Sequence, residues 1–141
     1  VQKLGGSIQM KKDFSYASLE KNGDGFKITV SSYQDEQRKR FAIAQELGHL
    51  FLHMGYKTNA EIWEKQADKV PFQEKDPEKV RQANEFAAAL LMPRYIFFLT
   101  LEAASDIAES GKRTIHMQAV ADFFNVSLSA AYTRAKDFGI I

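Results

Sequence analysis

Between Ser7 and Ser32 the chain is a series of short, partly alternating apolar and polar runs: "SIQMKKD", "SYASLEK" and "GFKITVSS". A period of two puts successive side chains on opposite faces of a pleated backbone, so each run predicts a β-strand. "NGDG" at Asn22 to Gly25 supplies the residues of a tight hairpin between the second strand and the third. The expected unit is a small antiparallel sheet of about three strands. After "SSYQDEQ" the apolar spacing lengthens to that of a helix. Ser32 or Asp35 can cap this helix, which runs from about Asp35 to Met54 and stops at Gly55.

Residues 56 to 76, "YKTNAEIWEKQADKVPFQEKD", are polar and include Pro71, which predicts a loop holding at most a short helix. Pro77 is a favourable first-turn residue, and the helix it opens runs through "EKVRQANEFAAALLM" to a break at Pro93. Further helices are expected at roughly Arg94 to Ser110, His116 to Phe124 and Ser127 to Phe138, separated by "GKR" and "NVS". Strands come first and helices follow, which argues an α+β class. We expect one domain over residues 1–141, with a C-terminal helical subregion from about 112 to 141.

A chain of 141 residues can bury a real core, roughly 68–70% of the surface its unfolded form exposes. Nineteen Lys and Arg stand against eighteen Asp and Glu, so no bulk field draws the chain to nucleic acid or an anionic membrane. The absence of cysteine excludes disulfides and thiolate zinc sites, and the expected setting is cytoplasmic. The most apolar stretch, "FAAALLMPRYIFFLTL", is interrupted by Pro93 and Arg94 and is too broken to cross a bilayer. No signal-peptide pattern is read.

The chemistry concentrates in "RFAIAQELGHLFLH", residues 40 to 53. Phe41, Gln45, His49 and His53 recur every four residues and so share one helix face. A His-Glu-x-x-His helix uses this geometry to hold zinc between two imidazoles while the Glu polarises a water. Here Glu46 and His49 stand in register, but the first position is Gln45, whose neutral amide offers only a carbonyl oxygen and is a poor zinc donor. Gly48 suits close packing against a neighbouring helix. His53 could pair with His49 one turn along, but Glu46 would then lie behind the metal; by itself it reads as a hydrogen-bonded structural histidine.

"RFAIAQELGHLFLH" and "QANEFAAALLMP" together resemble the ImmA/IrrE-type metallopeptidases. Members of that family read Arg-Phe-x-x-Ala-His-Glu-Leu-Gly-His-x-x-x-His, followed later by Ala-Asn-x-Phe-Ala-Ala-x-Leu-Leu-Met-Pro. The resemblance extends to "NGDGFKITVSS" upstream and "MQAVADFFNVSLSAAYTRAKDFGII" downstream, nearly the whole chain. It implies a zincin-like helical bundle behind the sheet and zinc-dependent endopeptidase cleavage of a partner repressor. By the same resemblance Glu46 matches the general base and His49 the second zinc ligand, while Gln45 replaces the first. The family's third ligand is a Glu whose matching position is Val80, four residues before Asn84; a Glu also often precedes the Ala, where this chain has Gln82. Glu78 and Glu85 are rotated away from that face. Phe86, Leu90, Ala83 and Ala87 form an ordinary packing stripe, which leaves Gln82 and Asn84 as the polar residues able to face a cleft.

Two replaced ligands predict that zinc binds weakly or not at all. The leading expectation is therefore a catalytically impaired or inactive member that acts by binding a repressor-like or antitoxin-like protein partner. One alternative is an active endopeptidase that completes its metal site with Gln45, His53 or an acid from the 56 to 78 loop. Another is a DNA-binding regulator, since "VADFFNVSLSAAYTRA" imitates a helix-turn-helix. Arg134 and Lys136 are nearly its only basic side chains, beside Ser127, Ser129 and Thr133, so nucleic acid is the weaker partner.

Overall fold

The computed structural model describes residues 1–12 and 17–141. Asp13, which closes the first expected strand, and Ser15 and Tyr16, which open the second, lie outside the described residues. The elements are β1 (Gly6–Lys11), β2 (Ser18–Asn22), β3 (Gly25–Ser31), α1 (Glu36–Leu52), α2 (Ala60–Glu64), α3 (Pro77–Leu91), α4 (Arg94–Ala103), β4 (Ser105–Ile107), β5 (Arg113–Ile115), α5 (Met117–Phe124) and α6 (Leu128–Asp137). The class is α+β. The chain forms two compact units, Val1–Ala87 and Ala88–Ile141, and α3 runs through the division.

In the first unit the strand order is β1-β3-β2. β2 and β3 are antiparallel, with Asn22 opposite Gly25. Gly23 takes φ +62° at the first loop residue, as the twist of a two-residue hairpin requires. β1, by contrast, runs parallel to β3, from Gly6 opposite Phe26 to Lys11 opposite Ser31. The sheet is therefore mixed rather than antiparallel throughout. Alternation shows that a segment is extended but not its direction, and only "NGDG" carried directional information.

β3 is the central strand, and Phe26, Ile28 and Val30 project from one face of it. They pack with Leu19, Leu47, Leu50, Met54 and Tyr56 into a buried cluster, each large side chain contributing about 1.5–3 kcal/mol by removal from water. The cap of α1 is Asp35, not Ser32: its carboxylate accepts the Arg38 N–H at 2.8 Å. The helix unwinds as the Met54 N–H reaches back to the His49 carbonyl at 3.0 Å, and Gly55 follows with φ +77°. α2 is the short helix expected within residues 56 to 76. α3 opens on Pro77, with the Asp76 side chain accepting the Glu78 N–H at 3.0 Å.

The second unit departs from expectation at one place. The helix predicted over Arg94 to Ser110 ends at Ala103, and β4 and β5 form a hairpin with Ser105 opposite Ile115. "LEAASDIAES" is rich in good helix formers, but pairing with β-branched Thr114 and Ile115 overrides that preference. The Ser105 hydroxyl donates to the Leu101 carbonyl at 2.5 Å, and the His116 N–H bonds the Ala104 carbonyl at 2.8 Å. α5 and α6 meet at Asn125, which takes φ 52°, and Ser127 caps α6 by accepting the Ala130 N–H at 3.1 Å. Phe97, Leu101, Val120, Ala121, Phe124 and Ala131 form the core of this unit. Among the described residues no single helix is long and apolar enough to cross a membrane.

Candidate functional site

The site belongs wholly to the first unit. Gln45, His49 and His53 line one side of α1, and α3 approaches α1 closely because position 48 has no side chain. A Cβ on Gly48 would stand 3.1 Å from Ala83 Cα and 3.1 Å from Phe86 Cβ. That approach brings Gln82 and Asn84, which flank Ala83, within reach of α1.

Two polar links result. The Gln45 amide N–H donates to Asn84 Oδ1. The second link is longer: His53 Nε2 lies 2.9 Å from Gln82 Oε1, and His53 Nδ1 lies 2.9 Å from His49 Nδ1. An amide oxygen only accepts, so His53 carries its proton on Nε2. A neutral His53 then offers a lone pair at Nδ1, and His49 must donate its Nδ1 proton to it. When both rings are neutral, the unprotonated nitrogen of His49 is Nε2. The rings are 5.0 Å apart between centroids, and the Phe72 ring lies 5.6 Å from that of His49. Gln82 also hydrogen-bonds Glu78, one turn back on α3.

Electrostatics favour a neutral His49. Burial lowers the pKa of His49 below 6.5, the neighbouring His53 lowers it further, and the charge of Glu74 opposes both. Two imidazolium rings could not share this contact, because each would direct an N–H at the other. Glu46 is half-buried, and burial pushes its carboxyl up from 4.5 to about 7. Glu74 behaves oppositely. The Asp76 N–H, which it accepts at 3.0 Å, lowers its pKa most, with Lys79 and His53 assisting against partial burial.

The sequence-predicted residues thus divide. Gln45–Asn84 and His49–His53–Gln82 are two separate hydrogen-bonded links in a polar row between α1 and α3, with Glu46 beside it on α1. Val80 is 39% exposed and takes no part; two residues along a helix is a rotation of roughly 200°, and Gln82 is the one that reaches His53. Glu74 is the acid of the 56 to 78 loop that lies in electrostatic range of both histidines. Phe72 went unnoticed in the sequence, where nothing distinguishes it from any aromatic residue following a proline.

A catalytic zinc takes three protein donors and an open position. The positions that would supply them hold the amide of Gln45, the imidazole of His49, and either apolar Val80 or the amide of Gln82. Among the described residues no group of three or more His, Asp or Glu is placed to hold a metal. The donor set does not fit a catalytic zinc.

Comparison with individual curated proteins gives no match. The family model for the IrrE N-terminal-like domain, Peptidase_M78, matches residues 8–136. With all but the first two residues of the sheet, the α1 motif and the α3 motif inside that span, the chain belongs to the IrrE N-terminal-like, Peptidase_M78 family and has a metallopeptidase-like scaffold.

Proposed function

We propose that this protein is a regulator on a metallopeptidase scaffold, with its peptidase chemistry impaired or lost, acting in the cytoplasm by binding a repressor-like or antitoxin-like protein. One observation carries the reading. The side chains at the ligand positions are amides and a single imidazole tied to polar neighbours, Gln45 to Asn84 and His49 through His53 to Gln82. The Gln45–Asn84 bond engages the amide N–H and leaves only a carbonyl oxygen, a poor zinc donor, where an imidazole would stand, and His49 alone does not make a catalytic metal site. Without a metal to activate it, water keeps its high pKa, and Glu46 has no competent nucleophile to generate. The scaffold then serves recognition. Arg134 supports a protein rather than a nucleic-acid partner: its Nε donates to the Met92 carbonyl at 3.2 Å and its guanidinium covers Phe138 at 4.3 Å, which commits it to packing.

The rival reading is an active zinc endopeptidase. The observation in its favour is Glu46, whose pKa of about 7 suits proton transfer at neutral pH. Metal analysis of protein purified without chelator separates the two. The proposal expects zinc well below about 0.1 per chain, against one per chain for a catalytic site. One zinc per chain, lost in His49→Ala, overturns it.

A further inference from the structure

β2 is an outer strand of its sheet, so it carries a row of main-chain groups open to pairing. A segment of the chain itself takes that place. The N–H groups of Lys69 and Phe72 donate to the carbonyls of Lys21 and Leu19, each at 2.7 Å, and Asp68 Oδ1 accepts the Gly23 N–H at 2.8 Å. The same segment lays the Phe72 ring against His49. One stretch of backbone therefore occupies the strand edge and covers the imidazole at the centre of the polar row.

The occupant is an imperfect strand. It meets β2 through two isolated bridges of opposite sense, Glu20 with Pro71 antiparallel and Lys21 with Asp68 parallel, and no ladder forms. Lys69 sits at φ 58°, a left-handed conformation that is strained for a side chain of this kind, and Pro71 has no N–H to donate. A regular extended segment would suffer neither defect, and addition of a strand to a sheet edge is a common mode of peptide recognition.

We propose that residues 66–76 are a built-in occupant of the β2 edge, and that the partner is a protein segment that displaces them. The segment's own chemistry defines that partner. It is an extended chain whose N–H groups bond Leu19 and Lys21, with an aromatic or large apolar residue that replaces Phe72 on His49. This inference rests on the partner-binding reading above and adds to it where the partner docks and what it presents.

Two measurements test it. Native-state hydrogen exchange should show the Lys69 and Phe72 amides opening at least about a hundredfold more readily than those of Ile28 and Val30 in the central strand, without unfolding of the chain. Equal protection of the four amides overturns the proposal. The second probe is a labelled peptide of residues 66–75 carrying Pro71→Val, titrated onto the unaltered protein and onto Phe72→Ala, with circular dichroism confirming that the variant is folded. Loosening the internal competitor should tighten peptide binding by about tenfold. Equal affinity for both proteins, or binding to neither, overturns the proposal. Zinc content is independent of either result, so failure here with zinc still absent removes the displaced segment and leaves the proposed function standing.

Discussion

His49 and His53 face each other through their Nδ1 atoms at 2.9 Å, and Gln82 Oε1 holds the far nitrogen of His53 at the same distance. The contact allows at most one of the two rings to be protonated. It gives His53 a positioning role that its place in the sequence motif does not reveal. Replacing His53 removes one of the two causes that lower the His49 pKa and leaves the larger one, burial. In His53→Ala, the His49 ring should titrate at higher pH than in the unaltered protein but still below 6.5. Proton NMR titration of the ring Cε1–H signals reads this directly. An unchanged or lower His49 pKa would remove the coupling.

Glu46 links the site to stability. Its folded pKa is raised from 4.5 to about 7, so between those values the folded chain retains a proton that the unfolded chain has released. Raising the pH through this window therefore costs stability, and the full penalty applies above it. At 1.36 kcal/mol per unit, the 2.5-unit difference between 4.5 and about 7 bounds the penalty at about 3 kcal/mol. Glu46→Gln should accordingly stabilise the protein at pH 8 by about 1–3 kcal/mol, less whatever the buried amide loses for want of partners, and change little at pH 4. Urea denaturation at the two pH values measures it. Equal effects at both would show that the carboxyl is not desolvated.

How much of this was legible in the sequence follows from which signals are local. Period, caps and turn residues are local, so "NGDG", Asp35, Pro77 and Gly55 marked the elements they were expected to mark. The direction of β1 and the β4–β5 hairpin depend on pairing with other segments, and "LEAASDIAES" gave no warning of the hairpin. At the site, the helix spacing placed Gln45, His49 and His53 on one face. The choice between Val80 and Gln82 needed the rotation of α3 against α1. Phe72 and Glu74 reach the histidines from a loop whose course no local pattern encodes.

Gly48 illustrates two opposed effects of similar size. As a helical glycine it costs the free chain roughly 1 kcal/mol relative to alanine, so Gly48→Ala would be expected to stabilise on propensity alone. The added Cβ would meet Ala83 Cα at 3.1 Å and Ala83 O at 3.2 Å, which are backbone atoms of α3 and cannot turn aside. Overpacking of this kind costs about 1–3 kcal/mol. We expect a net loss of about 1 kcal/mol in chemical denaturation, since the crowding exceeds the propensity gain. A stabilised Gly48→Ala would mean that α3 yields without penalty.

The ligand positions can be tested by restoring them. If the polar row is a decayed metal site, an imidazole at position 45 and a carboxylate on α3 should rebuild three donors with His49. Val80 and Gln82 are the two positions at which that carboxylate could be placed. The structure favours Gln82, which already reaches His53 at 2.9 Å, over Val80, which is 39% exposed. Gln45→His with Gln82→Glu should therefore bind zinc at least about tenfold more tightly than the unaltered chain in isothermal titration, because three protein donors make a zinc site and one imidazole does not. Gln45→His with Val80→Glu should gain little. The reverse ranking would place the third ligand on the other side of α3, and no gain from either pair would mean that the row never matched the zinc positions of its family.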